Sequence, residues 1–337
     1  MFEISQRRYL GNKNSILNFI ENIIKNEIGH FNSLCDIFAG TGVVGSYFNE
    51  KNNKIITNDL LYHNYISLSA FLNQDSFNQE KILELINNFN NFSAKKENYF
   101  SINFGGKYFS EDNAKKIGFI REQIRKLFIE DKINLKEKFI LLTSLNYSID
   151  RIANTVGHYD AYIKKEMKNS KFELKMLNTD IEKNKKNKIY NKDANYLIKD
   201  IECDILYLDP PYNSRQYSDA YHVLENLTLW QKPEVFGVAK KFDRNKIKSE
   251  YCKVTAIKSF EDLIINAKCK YILLSYNNMG NNGNHRSNAK ISDDDILRIL
   301  NLRGTPKIFE QNYKEFNAGK EKRNDNKERI FFVKVTR

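Results

Sequence analysis

Leu34-Cys35-Asp36-Ile37-Phe38-Ala39-Gly40-Thr41-Gly42 is the stretch whose reading decides the fold. An apolar strand over 34–38 runs straight into a turn of small residues, and 43–48 then reads as a helix. Strand, glycine turn and helix in that order make a nucleotide-binding unit, because small residues let the backbone approach a ligand at the helix N-terminus. Taken alone, the turn reads equally well as a tight connection.

The flanking sequence decides between these readings. Residues 54–57 form a second strand that ends at Asn58-Asp59. Asp59 stands 17 positions after Gly42, where a carboxylate can accept both hydroxyls of a ribose; its structural alternative is a helix N-cap. The turn continues as Gly40-Thr41-Gly42-Val43-Val44-Gly45, which has the G-x-G-x-x-G spacing of a dinucleotide fingerprint. A smaller, phosphate-free nucleoside whose ribose meets Asp59 is the ligand expected here.

Upstream, Ile16, Ile20, Ile23 and Ile24 recur at helical spacing and predict a helix over about 14–28. From 75 to 187 the pattern turns to helices and polar connectors, with apolar faces at Ile82, Leu85, Ile86 and Phe89, then at Ile117, Ile120, Ile124, Leu127 and Phe128. Strand-like runs return at 188–190, 204–208, 271–275, 307–310 and 329–335. The expectation is an α/β chain: a doubly wound, mostly parallel sheet with an antiparallel last strand, built from 1–74 and 188–337, with a mainly helical insertion over 75–187.

The chain has 337 residues, 41% of them hydrophobic, with only 14 Gly and 4 Pro, as suits a folded globular protein. Its net charge of +12 suits a polyanionic partner, although basic runs such as 183–188 read equally well as a solvated face. Cys35, Cys203, Cys252 and Cys269 make no C-x-x-C pair, so neither a zinc site nor a disulfide framework is expected. No segment approaches 18 consecutive apolar residues and the N-terminus lacks a signal-like apolar run, so the expected setting is the reducing cytoplasm, away from membranes.

The residues that carry chemistry follow the strand at 204–208, which delivers Asp209-Pro210-Pro211-Tyr212 to the sheet's carboxyl edge. An exocyclic amine on a purine is a poor nucleophile because its lone pair is delocalised into the ring. A carboxylate and a carbonyl that accept its two hydrogens favour the pyramidal nitrogen, which can attack an electrophilic methyl in line. Asp209 supplies the first acceptor and the Pro210 carbonyl the second, Pro211 stiffens the turn, and Tyr212 offers a face on which a flipped base stacks. The alternative is a stiff surface turn.

Together these segments resemble the Dam-like, alpha-group adenine-specific DNA methyltransferases over nearly the whole chain. Tyr9-Leu10-Gly11-Asn12-Lys13 resembles the family's N-terminal Trp-x-Gly-Gly-Lys element, with Tyr for Trp and Asn for the second Gly. Asp36-x-Phe38-x-Gly40-x-Gly42 resembles its cofactor loop. The resemblance implies a Rossmann-like methyltransferase sheet and S-adenosyl-L-methionine as cofactor, bound by Tyr9, Lys13, Asp36, Phe38, Ala39, Gly40, Thr41, Gly42 and Asp59. Asp193, followed by Ala194, stands where the family's acidic residue meets the cofactor's adenine.

The order of motifs is that of the alpha group, in which the insertion reads the DNA target. Within it, 151–159 resembles the family's Arg-x-Asn-x-x-Gly-x-Phe-Asn stretch near the flipped base, marking Arg151, Asn154 and Tyr159; the Pro-x-Gly that follows in the family is absent. His158 is read as a satisfied ring, since this chemistry needs no histidine base. Arg215, within 213–217, and the basic residues Lys240, Lys241 and Arg244 extend toward a phosphate backbone, or are plain exposed side chains. Ser275-Tyr276-Asn277-Asn278 resembles a segment that lines the same pocket.

The implied activity is methylation of the adenine 6-amino group in double-stranded DNA, as the modification enzyme of a restriction–modification system with a cognate endonuclease as partner. No metal is implied. The absence of a Pro-Cys nucleophile argues against methylation of a cytosine ring carbon. Methylation of RNA or of the cytosine amino group, and a silent DNA-binding relative, remain alternatives.

Overall fold

The computed structural model describes residues 1–164, 167, 170–277, 289–312 and 327–336. Its strands are β1 (Ser33–Asp36), β2 (Lys54–Asn58), β3 (Lys188–Tyr190), β4 (Glu202–Leu208), β5 (Lys268–Ser275), β6 (Lys307–Asn312) and β7 (Lys327–Lys334). They form one sheet in the order β3-β2-β1-β4-β5-β7-β6. The first five pair in parallel, whereas β7 runs antiparallel between β5 and β6. Chain order reverses between β1 and β4, and the crevice outside the carboxyl ends at such a switch is where doubly wound sheets bind ligands.

The helices are α1 (Leu17–Glu27), α2 (Val43–Tyr47), α3 (Tyr62–Leu72), α4 (Gln79–Asn91), α5 (Tyr99–Phe104), α6 (Glu111–Ile129), α7 (Leu135–Ile152), α8 (Ala194–Leu197), α9 (Tyr217–Ala220), α10 (His222–Leu229), α11 (Ala256–Asn266) and α12 (Asp293–Leu300). The isoleucine face of α1 packs with α2 on one side of the sheet, against Ile205, Tyr207 and Leu273. Helices α8, α11 and α12 cover the other side, against Leu206, Leu208 and Ile272. Burial on both faces accounts for the near-continuous apolar run of β4.

The asparagines that look like compositional drift act as caps in the helical region. Asn78 accepts from the Lys81 N–H at 3.0 Å, and Asn98 and Asn134 complete capping boxes with Ser101 and Glu137. α7 is buried on all sides over residues 139–150. Its Lys136, 2% exposed, donates to the carbonyls of Ser69, Ala70 and Asn73 and so ties α7 to the carboxyl end of α3. Burial lowers that ammonium to about 8.

The helical region shares its core with elements on both sides of it in sequence. One apolar cluster joins Phe2, residues of α3, α4–α7, the 172–177 segment and α10. The extreme N-terminus is part of this arrangement: Phe2 exchanges backbone hydrogen bonds with Met176 and Asn178, and Tyr147 donates to the Ile4 carbonyl. Among the described residues no helix is long and apolar enough to cross a membrane.

Candidate active site

The chain turns from β1 into α2 through Gly40 and Gly42, with φ of +54° and +82°. A side chain at Gly42 would run into Leu68, and a Cβ at Gly40 would stand 3.0 Å from Tyr9 Cε1. The turn therefore sits flush against α3 below and the Tyr9 ring above. It opens on a cavity at the carboxyl edge of the sheet.

That cavity brings together residues from five separate stretches of chain. Tyr9 and Lys13, then Asp36, Phe38, Ala39, Gly40 and Thr41, then Asp59, then Asp193 and Ala194, and finally Asp209 and Pro211 all line it. The glycine turn and the catalytic candidate Asp209 thus face one space. Gly42 and Pro210 are buried behind the lining, and Tyr212 stands outside it, edge-on to Tyr276 with centroids 5.7 Å apart. Ser275, Tyr276 and Asn277 are buried and do not line the cavity; Asn278 lies outside the described residues.

Lys13 and Asp209 form an ion pair, Nζ to Oδ1, at 3.1 Å. Burial pushes the Asp209 carboxyl up to about 6 despite the lowering effect of Lys13. Burial opposes the charge on Lys13 too, but Asp209 and Glu328 outweigh it and hold the ammonium above its ordinary value. Asp36 is 1% exposed, no well-formed hydrogen bond reaches either of its oxygens, and burial with the charges of Asp209 and Asp59 holds its carboxyl well above the usual range.

Asp59 departs from the N-cap alternative, since Leu61 holds that position on α3. Its carboxylate accepts from the Gly40 N–H at 2.9 Å and the Leu61 N–H at 2.8 Å, fastening the glycine turn to β2. Burial raises it to about 6. Asp193 caps the short α8 by accepting from the Asn195 N–H.

The DNA candidates fall into two groups. Arg151 is exposed, 3.2 Å from Gln6 Oε1 and over the Phe2 ring; Arg215 is exposed and Lys240 half-exposed. Lys241 and Arg244 are held by acids, at 3.0 Å from Asp160 and 2.7 Å from Asp219. Asn154 and Tyr159 are both bonded within the protein. The Asn154 amide donates to the carbonyls of Lys107 and Ile163, closing its own loop. Tyr159 is 2% exposed and its hydroxyl donates to Asp150 at 2.6 Å, so it belongs to the core.

Several lining residues escaped the sequence reading. Gln216 and Tyr217 line the cavity, and Tyr251 meets Phe38 edge-on at 4.9 Å. Tyr217 and Tyr221 lie four apart, five and nine residues after Tyr212, a spacing that puts both rings on one side of a helical turn. That spacing was the available signal.

Glycine cradle, carboxylate-lined cavity and Asp-Pro-Pro-Tyr edge at the switch of a doubly wound sheet together are those of a Rossmann-like methyltransferase fold. Residues 9–288 match the D12 class N6 adenine-specific DNA methyltransferases, and the chain belongs to that family. Modification methylase StsI of Streptococcus sanguinis is 34% identical over 308 residues, 87% of this chain and 46% of that protein. Type II methyltransferase M.FokI of Planomicrobium okeanokoites is 33% identical over 347 residues, 97% of this chain and 52% of that protein. The chain spans about half the length of these two relatives. Type II methyltransferase M.NlaIII of Neisseria lactamica is 32% identical over 328 residues, which cover 95% of both chains.

Proposed function

We propose that this chain transfers the methyl group of S-adenosylmethionine to the 6-amino group of an adenine swung out of duplex DNA, as the modification enzyme of a restriction–modification system in the cytoplasm. The observation that carries this reading is the Lys13–Asp209 pair standing in the same cavity as the glycine turn. The names of the relatives, modification methylases and Type II methyltransferases, support the biological setting. A cognate endonuclease is the partner this setting implies.

The lining fits the cofactor. Asp36, Asp59 and Asp209 are carboxyls raised by burial, and Asp36 lacks a well-formed partner. Such a cavity favours a ligand that brings positive charge, as a sulfonium and an α-ammonium do. Gly40 and Gly42 let the backbone approach the ligand, Asp59 lies within the ribose-binding part of the unit, and Asp193 stands at the adenine end. When bound, the cofactor supplies an electrophilic methyl group.

The remaining work falls to this chain's own side chains. Lys13 holds Asp209 Oδ1, leaving Oδ2 to accept one hydrogen of the substrate amine, while the Pro210 carbonyl accepts the other. Both acceptors pull the amine toward the pyramidal form that has a nucleophilic lone pair. Tyr212, braced by Tyr276, stacks on the base and offsets part of the unstacking cost of a few kcal/mol. Arg151, Arg215, Lys240, Lys241 and Arg244 provide the phosphate contacts, the last two by exchanging Asp160 and Asp219 for DNA.

Base-resolution mapping of modified nucleotides in DNA from cells that express the chain tests the proposal. Modified adenines at one recurring sequence, absent with Asp209→Ala, are expected; DNA identical with and without the chain would refute the reading.

A further inference from the structure

A buried polar network runs from the helical region to the cofactor cavity and ends on Tyr9, although its members Arg7, Asn64 and Asp150 do not line the cavity. Arg7 is 3% exposed; its Nε meets Asp150 Oδ2 at 3.2 Å and its Nη1 donates to Asn64 Oδ1 at 2.8 Å. Asn64, on α3, donates in turn to the Tyr9 hydroxyl at 3.0 Å. Asp150, near the end of α7, accepts from Tyr159. The guanidinium lies 5.4 Å from the Tyr9 centroid and 5.6 Å from that of Tyr221.

A buried ion pair is weak evidence for stability, because desolvation of both partners consumes much of their attraction. Its geometry is the informative part here. Tyr9 is fixed at its hydroxyl by Asn64 and over its ring by Arg7, and it stacks on Tyr221 at 4.6 Å within 9° of parallel. The next residue, Leu10, is pinned separately: its N–H donates to the Tyr221 hydroxyl at 2.7 Å and its carbonyl accepts from Tyr217 at 3.2 Å. The network therefore orients the ring that closes over Gly40, whereas Lys13 reaches Asp209 from beyond the pinned Leu10.

We propose that Arg7, Asn64 and Asp150, with Tyr159 behind them, are positioning residues that hold Tyr9 as a wall of the cavity and so set affinity for S-adenosylmethionine from outside it. The inference rests on the methyltransferase reading of the cavity. Loosening the Tyr9 wall acts on cofactor binding, while the acceptors that activate the amine keep their own anchor. Such residues shift KM for the cofactor and spare kcat.

Asp150→Asn keeps the shape of the side chain and removes the counter-charge of Arg7; Tyr159→Phe removes only the hydroxyl that fixes Asp150. S-adenosylmethionine binding is measured by calorimetry, and methyl transfer to unmethylated mixed-sequence DNA by steady-state kinetics, well below each variant's Tm. Asp150→Asn is expected to weaken binding and raise the cofactor KM by about tenfold, and Tyr159→Phe by about threefold, with kcat within twofold of wild type. Ile124→Ala, a buried change in α6 away from the network, supplies the control: Tm falls and KM stays. If Asp150→Asn does not fold, Tyr159→Phe alone decides. Wild-type affinity in the foldable network variants, or a fall in kcat without a rise in KM, overturns the inference alone. A wild-type chain without affinity for S-adenosylmethionine overturns the functional reading, and this inference with it.

Discussion

Asp209 stands between two opposing influences, burial that favours its neutral form and Lys13 that favours its charge, and the balance leaves it at about 6. On the proposed function only the ionised carboxylate can both hold Lys13 and accept a hydrogen from the amine, so activity is expected above about pH 6 and is expected to be lost as pH falls through that value. His63 and His222 are pushed down to about 4 and about 3 by burial and stay neutral across this window. A profile of kcat/KM against pH is expected to show an acidic limb near 6, with its position as the readout because Asp59 titrates in the same range. A limb near 4, the ordinary value of an aspartate, would mean that the buried pair does not govern the step.

At the scale of elements, the parts legible in the sequence were those with local signatures. The glycine turn after β1, the strand that delivers Asp209, and the order of the two with helices between them could be read because each depends on neighbours a few residues away. Asp36, Gly40 and Asp209 accordingly meet in one cavity. Tyr251 and the Arg7 network were not legible, because their contacts arise only when distant parts of the chain meet, whereas Tyr217 had a local signal in its spacing to Tyr221. Asn154 and Tyr159 make a related point: a motif can place residues near a site without saying which side chains turn inward. The turn itself offers a test of how tightly the elements fit. Gly42→Ala forces a left-handed φ on alanine and drives its Cβ into Leu68 and toward Ile4, so a loss of about 1–3 kcal/mol in a urea titration is expected. An unchanged midpoint would show that α3 yields to the turn.

At the scale of the whole molecule, the change of periodicity after residue 75 announced helices, but their packing was not legible. These helices share one core with α3 and α10 and with Phe2, so they are built into the chain and not appended to it. Periodicity finds helices; it does not say which apolar faces meet. Replacing residues 79–176 by a short linker would bare the buried faces of α3 and α10, and the product is expected to lack a cooperative thermal transition. A sharp transition would instead mark the sheet and its flanking helices as self-sufficient. This continuity also gives the helical region a physical connection to the cavity, through Phe2, Tyr147 and the first residues of the chain.

The central claim is that the cavity under Tyr9 places a methyl donor against an adenine amine gripped by Asp209. Incubating the purified chain with methyl-labelled S-adenosylmethionine and unmethylated mixed-sequence duplex DNA, then digesting to nucleosides, tests it most directly. The account predicts label in N6-methyladenine alone, and none with Asp209→Ala. Label in methylated cytosine, or undiminished label with Asp209→Ala, would contradict it.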